Sequence, residues 1–246
     1  MHFGGSSETH TDYMIDDLST GMRVPLELST CERDLGVHIS SDLRWRTHVE
    51  LIASKANKVL GMLVKTFTSR DSDLWKLLYT SLVRPHLEFA SPVWNPYQSG
   101  DIELLERVQR RATRIPYSLR NQTYEERLKI WNLTSLETRR TRGDLIQMYK
   151  SLNGLEKIDW FPPGPRFAPP TQTRSSESNS LRLERDIFKS KAKNDFGHFV
   201  TVRHEFFLNR TSENWNRLSN SQILSPSLNS FKASIDMLPA KAAIAQ

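Results

Sequence analysis

Cys31 is the one cysteine of this 246-residue chain, which excludes a disulfide within it and a zinc site built on several thiolates. No apolar run approaches the twenty or so residues that a membrane-spanning helix needs, so no membrane contact is expected. The opening residues are small and polar, which is not the pattern of a secretory leader. These absences fit a reducing, intracellular compartment, nuclear or cytoplasmic. The Asn-x-Ser/Thr triplets at Asn121, Asn132 and Asn209 then carry no meaning as glycan acceptors. Catalytic signatures are missing too: there is no glycine-rich phosphate loop, no Gly-x-Ser-x-Gly elbow and no His-Glu-x-x-His. The adjacent acids Asp16 and Asp17 follow Tyr13, Met14 and Ile15. In the metal-binding hairpin of polymerases one residue separates such a pair from its aromatic. Two intervene here, which shifts the pair's phase on a strand, and a polar turn is the better account of both acids. His86 has no partner at metal-ligand spacing and reads as a packed or capping histidine.

What the chain does have is arginine, concentrated in one place. The formal net charge is +6 and the sequence pI about 9.5, which points to nucleic acid or another acidic partner. Residues 101–150 hold nine Arg and two Lys against seven Asp and Glu, a net of +4 in a fifth of the length. The periodicity predicts a helix from Asp101 to about Arg114. Asp101 is placed to cap it, Leu104, Leu105, Val108 and Ala112 form its apolar face, and Pro116 ends it. Arg107, Arg110, Arg111 and Arg114 fall at i, i+3, i+4 and i+7, so their guanidinium groups share another face. A guanidinium fork matches an anionic oxygen pair, which makes these four the primary candidates for phosphate contact. A second cluster, Arg139, Arg140 and Arg142, lies near the start of a helix predicted from Ser135 to Leu152. Thr134 and Glu137 have capping-box spacing there, and Gly154 suits the end. Cations at a helix N-terminus oppose its dipole, so an anionic partner or packed carboxylates should favour them. These three are the secondary candidates. For both clusters the alternative is a face solvated or paired within the protein.

Elsewhere the pattern is mostly helical. Met1-His2-Phe3 reads as the end of a strand, followed by strand candidates at Arg23–Leu28 and Leu35–Ile39. A long amphipathic helix is predicted from Leu43 to Thr66 on Val49, Ile52, Ala53, Ala56, Val59, Leu60 and Leu63. Its Lys55, Lys58 and Lys65 lie on the solvated side. Another runs from Asp71 to Val83, rich in Leu and aromatics and stopped by Pro85. A bent helix-and-loop connection follows to Tyr97. Thr123 and Glu126 form a capping box for a short helix to Ile130. Five of the twelve prolines fall between Asp159 and Leu181, which marks a linker or long exposed loop. Beyond it, Phe207, Thr211, Trp215 and Leu218 fit one helical face, and Leu228, Phe231, Ile235 and Leu238 another. Phe199, Val200 and Val202 suggest a short extended piece, and the end from Ala240 should fray.

Several segments, in order, resemble the region after the catalytic palm in reverse transcriptases of non-LTR (LINE-type) retrotransposons. They include Glu32-Arg-Asp-Leu-Gly-Val-His-Ile-Ser40, Lys55-Ala-Asn-Lys-Val-Leu-Gly-Met62 and Leu78-Tyr-Thr-Ser-Leu-Val-Arg-Pro-His-Leu-Glu-Phe-Ala90. Val93-Trp-Asn-Pro96, Leu105-Glu-Arg-Val-Gln-Arg-Arg-Ala-Thr113, Tyr124-Glu-Glu-Arg-Leu128 and Leu136-Glu-Thr-Arg-Arg140 continue the series. Arg142-Gly-Asp-Leu-Ile146, Met148-Tyr-Lys150, Trp215-Asn-Arg-Leu218 and Ser230-Phe-Lys232 complete it. The resemblance spans nearly the whole chain. It implies that fingers and palm, with the catalytic aspartates, precede this sequence, and that Tyr13-Met-Ile-Asp16 is a post-catalytic turn. It also implies a grip on the template–primer backbone by an arginine face. The Cys/His knuckle of some relatives is absent, and so is an endonuclease domain.

The expected fold class is therefore mainly α. It comprises a palm-end β remnant at 1–42, a helical thumb-like bundle at 43–157, a proline-rich linker at 158–181 and a small C-terminal α or α+β unit at 182–246. The expected function is binding of RNA, DNA or their hybrid by a fragment of an RNA-directed DNA polymerase that does not itself polymerise. No cofactor is expected, Mg²⁺ belonging to the intact polymerase alone. A helical protein-interaction module and a retrotransposon relic are the alternatives.

Overall fold

A computed structural model describes residues 13–160, 164–168, 179–185 and 206–236. The expectations for Met1–Phe3, for Phe199, Val200 and Val202, for Leu238 and for the end from Ala240 lie outside these residues, as do most of the linker prolines. The fold is mainly α with two small antiparallel sheets at the N-terminal end, as the patterning indicated.

The first sheet is a hairpin of β1 (Met14–Asp16) and β2 (Arg23–Pro25). Asp16 thus ends a strand, where it meets Arg23 at 3.1 Å, and is not part of a turn. Asp17 does form the polar turn, accepting from the backbone and hydroxyl of Ser19 and the hydroxyl of Thr20. Those bonds hold its carboxyl at about 2. The second sheet pairs β3 (Cys31–Asp34) with β4 (Val37–Ser40). The strand expected at Leu35–Ile39 starts later because Leu35 and Gly36 are the two-residue turn, both at positive φ (45° and 91°). Tight hairpins require that conformation. A Cβ at Gly36 would stand 3.2 Å from the Phe89 ring, so the turn also packs closely. The strand β3 escaped sequence reading because Glu32, Arg33 and Asp34 are exposed and show no alternation.

Helix α1 (Arg46–Thr66) starts three residues later than expected because Leu43, at φ 57°, breaks the backbone path. Its buried stripe is His48, Val49, Ala53, Ala56, Leu60 and Leu63. Helix α2 (Ser72–Leu78) is capped by Asp71, which accepts from Leu74 N–H at 2.8 Å. Pro85 does not stop the chain's helical course, contrary to expectation. A wider π turn at Tyr79–Val83 leads into α3 (Arg84–Glu88), and the proline sits in the first turn of that segment. The left-handed Ala90 then redirects the chain into α4 (Ser91–Trp94).

Helix α5 (Ser99–Thr113) carries the arginine face. Asp101 is not its cap. It lies buried in the first turn and receives Arg46 Nη1 at 2.9 Å. Further along, Arg111 Nη1 donates to Asn57 Oδ1 at 3.1 Å. Contacts between the starts of α1 and α5, and between the middle of α1 and the last turn of α5, mean that the two helices run parallel. A 3₁₀ turn at Tyr117–Leu119 precedes α6 (Tyr124–Ile130), which has the expected Thr123–Glu126 capping box. In α7 (Leu136–Leu152) the cap is Ser135, one residue past the expected Thr134, and Gly154 takes the left-handed position at φ 64°.

Two apolar clusters result. The larger packs α1 to α6 around Trp75, Tyr79, Trp94 and Trp131. The second is shared: α7 supplies Leu145, Met148 and Tyr149, and the C-terminal helices α8 (Phe207–Asn216), α9 (Asn220–Ile223) and α10 (Leu228–Asp236) supply Trp215, Ile223, Phe231 and Ile235. Asp144 of α7 ties the clusters together. It is 4% exposed and accepts from Arg210 Nε at 2.9 Å and Nη2 at 3.0 Å, and from Asn95 Nδ2 at 2.9 Å.

Removing one member of a buried ion pair leaves the other charge uncompensated, so Asp144→Ala should lower stability by about 3–5 kcal/mol in urea unfolding. An unchanged midpoint would show that the clusters do not depend on it. His48 gives a pH prediction. Its Nδ1 accepts from His38 N–H at 3.2 Å, while its Nε2 is buried without a partner. Burial, and then nearby His38, push it down to about 4. The unfolded histidine binds a proton at higher pH than the folded one. Stability from this group is therefore fully present above about pH 6.5 and is lost as pH falls toward 4, by about 3 kcal/mol in all. Melts of His48→Gln across that range should show a smaller loss than the unaltered protein.

Candidate functional site

The site is built where the last turns of α1 and α5 border one groove. Parallel helices bring both C-terminal carbonyl clusters, and the negative ends of both dipoles, to one place. Arg70 answers the first: it donates from Nη2 to Val64 O at 3.2 Å and from Nη1 to Phe67 O, with its guanidinium 5.3 Å from the Trp75 ring centre. Arg110, Arg111 and Arg114 crowd the last turn of α5. Beyond them, Arg120 follows the 3₁₀ turn and Arg127 projects from α6. Together these six arginines line a groove of about 830 Å³, floored by Val64 and Ile115 and edged by Asn121. No acid is among its lining residues.

Their states differ. Arg110 is held by Glu103 at 2.7 Å and lies 5.1 Å from the Tyr124 ring centre. Arg111 has its neutral partner Asn57. Arg114 and Arg120 are exposed, and their side chains have no hydrogen bond or ion pair among the described residues. Arg120 lies 4.3 Å over Tyr117. Arg127 is 7% exposed; its Nε donates to Thr113 Oγ1 at 3.0 Å and its Nη1 to Gln122 O at 2.7 Å. Burial, and then the charge on Arg114, draw its guanidinium below the usual arginine range. The second effect reflects like charges placed near one another in the groove.

One ring organises the groove from beneath. Tyr124 lies between Arg110 and Arg127, the latter 5.7 Å away. Its hydroxyl donates to the buried carboxylate of Glu106 and accepts from Gln109 Nε2 at 2.8 Å. Glu106 also accepts from Leu136 N–H at 3.0 Å, so it caps the start of α7 from α5. Burial raises its carboxyl above the usual range.

The sequence candidates divide. Arg110, Arg111 and Arg114 meet in the groove. Arg107 stands outside its lining, exposed, with Glu103 at 3.9 Å. The three arginines of α7 are placed elsewhere. Arg139 forms a two-point pair with Glu88, one bond at 3.0 Å. Arg142 does the same with Asp236, one bond at 2.9 Å. Arg140 is 1% exposed, with Nε on Asn95 Oδ1 at 2.9 Å and both terminal nitrogens buried without partners. Arg139 and Arg142 are paired with carboxylates and Arg140 is buried, so none of the three lines the groove. Arg120 and Arg127 belonged to the same basic fifth of the sequence and were countable there. Arg70 had no local pattern to reveal it.

Asp16 and Asp17 lie in the first hairpin. Among the described residues no three His, Cys, Asp or Glu side chains converge as a metal site. No described helix is long and apolar enough to cross a membrane.

No family model and no solved structure matches the chain. It is similar to an uncharacterized protein of Caenorhabditis elegans, 27% identical over 124 residues, which are 49% of this chain and 63% of that protein. The chain thus spans less than two thirds of that relative's length.

Tyr124→Phe removes the hydroxyl shared by Glu106 and Gln109. A loss of about 1–3 kcal/mol is expected in chemical denaturation, the range for stranding buried polar groups. A neutral result would mean that the ring alone organises the groove.

Proposed function

We propose that this chain binds nucleic acid by its phosphate backbone, and that it is the thumb-side part of a non-LTR retrotransposon reverse transcriptase acting inside the cell. The groove carries the binding reading: six arginines from four segments line one concavity with no acid in it. Guanidinium groups suit phosphate oxygens in two-point geometry. A backbone grip needs no base-specific contact, which suits a groove walled by one residue type. The family reading rests on the ordered segments from Glu32 to Lys232. The mainly helical architecture and the position of Leu105–Thr113 on the groove-bearing helix are compatible with it.

A second reading, a helical protein-interaction module, has one observation in its favour. Ile39, Trp45, Val93, Trp160 and Phe207 line an apolar concavity of about 880 Å³ between β4, α4 and α8. Contiguous apolar surface of this kind is often a contact site.

The two separate by salt dependence. Binding of a short labelled RNA–DNA hybrid should weaken steeply between about 50 and 200 mM salt, with a log–log slope of about −3 to −4 for four phosphate contacts. Arg110→Glu combined with Arg111→Glu should flatten that slope by about two and cut affinity at low salt at least tenfold, because each reversal removes one released counterion. An unchanged slope in the double variant, or no binding of any nucleic acid at low salt, would leave the protein-interaction reading standing.

A further inference from the structure

At the rim of the groove stands an aromatic ring that the backbone reading does not use. Tyr117 is 66% exposed, and it opens the 3₁₀ turn between Arg114 and Arg120. The Arg120 guanidinium lies over the ring, 4.3 Å from its centre, so the groove's outer arginine and the ring form one stacked, cationic pair. Beside it, Asn121 lines the groove with a side-chain amide that makes no hydrogen bond among the described residues. Arg127 lines the groove, itself 7% exposed, with Nε and Nη1 engaged and Nη2 without a hydrogen-bond partner among the described residues. Val64 and Ile115 supply an apolar floor between them.

We infer that the groove takes an unpaired nucleic-acid strand, with phosphates on Arg114 and Arg127 and one base stacked at Tyr117 and Arg120. This inference rests on the backbone-binding reading and deepens it. The physical reason lies in what a base can reach. In a duplex each base face is covered by its neighbours, so an exposed ring gains nothing from it. In a single strand the face is free, and stacking on an aromatic or on a guanidinium plane adds to the phosphate contacts. The free amide of Asn121 is placed to meet a base edge or a sugar hydroxyl. A groove of about 830 Å³ lies within the usual range of ligand pockets, which run to about 1,000 Å³.

The test compares three labelled probes on the full chain by fluorescence anisotropy at one salt concentration: a short oligothymidylate, an abasic strand of the same length and a duplex. The oligothymidylate should bind about tenfold more tightly than the abasic strand, the size expected for one stacked base. Tyr117→Ala should erase that difference and leave binding of the abasic strand unchanged, while Tyr117→Phe should keep it. Tyr117 is exposed, so a thermal melt should confirm that both variants fold. Equal affinity for the oligothymidylate and abasic strands, or a Tyr117→Ala protein that still prefers the oligothymidylate, overturns the stacking inference. If Arg110→Glu with Arg111→Glu then abolishes binding of every probe, the backbone reading survives that failure. No binding of any probe by the unaltered protein overturns both.

Discussion

A buried carboxylate holds the helices that make the groove. Glu106 accepts a hydroxyl proton from Tyr124 of α6 and a backbone N–H from Leu136 of α7, with Gln109 beside it on α5. Gln109 is itself fully buried and extends the network to the Tyr79 hydroxyl and to Thr134 O. In a low-dielectric interior such a network is strong when every member is satisfied and costly when one is lost. Through it the position of one ring, Tyr124, is settled, and with that ring the approach of Arg110 and Arg127. The surface site therefore depends on a polar core beneath it.

Much of the helical scaffold could be read from the chain because its helices announce themselves locally. The Thr123–Glu126 capping box, the left-handed Gly154 and the apolar stripe of α1 are signals within a few residues of one another. The errors share a cause: in each, neighbouring structure overrode what a residue's own type suggested. Asp101 has the residue type of a cap, but Arg46 of α1 recruits it into a buried pair. Pro85 is a helix breaker by its own chemistry, yet a π turn ahead of it lets the helical course go on. The strand β3 has no apolar pattern because its pairing with β4, rather than burial, defines it.

The site itself was half legible. Spacing alone puts Arg110, Arg111 and Arg114 on one face, and the groove has them there. Spacing could not show that Arg139, Arg140 and Arg142 would meet Glu88, Asn95 and Asp236, which lie 45 to 94 residues away in the chain. Nor could it show Arg70, which arrives because the chain turns back over the end of α1. A run of basic residues reports charge density. Whether that charge is spent inside the fold or left for a ligand is decided by the tertiary placement of acids.

Two helix dipoles offer a reason for arginines to gather here without any ligand. The parallel ends of α1 and α5 present orphan carbonyls, and cations near a helix C-terminus are favoured by about 0.3–1 kcal/mol each. That accounts well for Arg70, whose donors are on those carbonyls, and in part for Arg110 and Arg111. It does not account for Arg120, which lies beyond α5 and meets only a tyrosine ring. Nor does it account for Arg127, which comes from another helix and whose guanidinium is lowered by burial and then by the charge on Arg114. Such a placement loses solvation, which the bonds to Thr113 and Gln122 offset in part, and gains repulsion, while among the described residues no carboxylate hydrogen-bonds or ion-pairs with it. A bound phosphate would offset both at once, and of the groove's arginines it is this buried one that gives the groove its strongest claim to an anionic ligand.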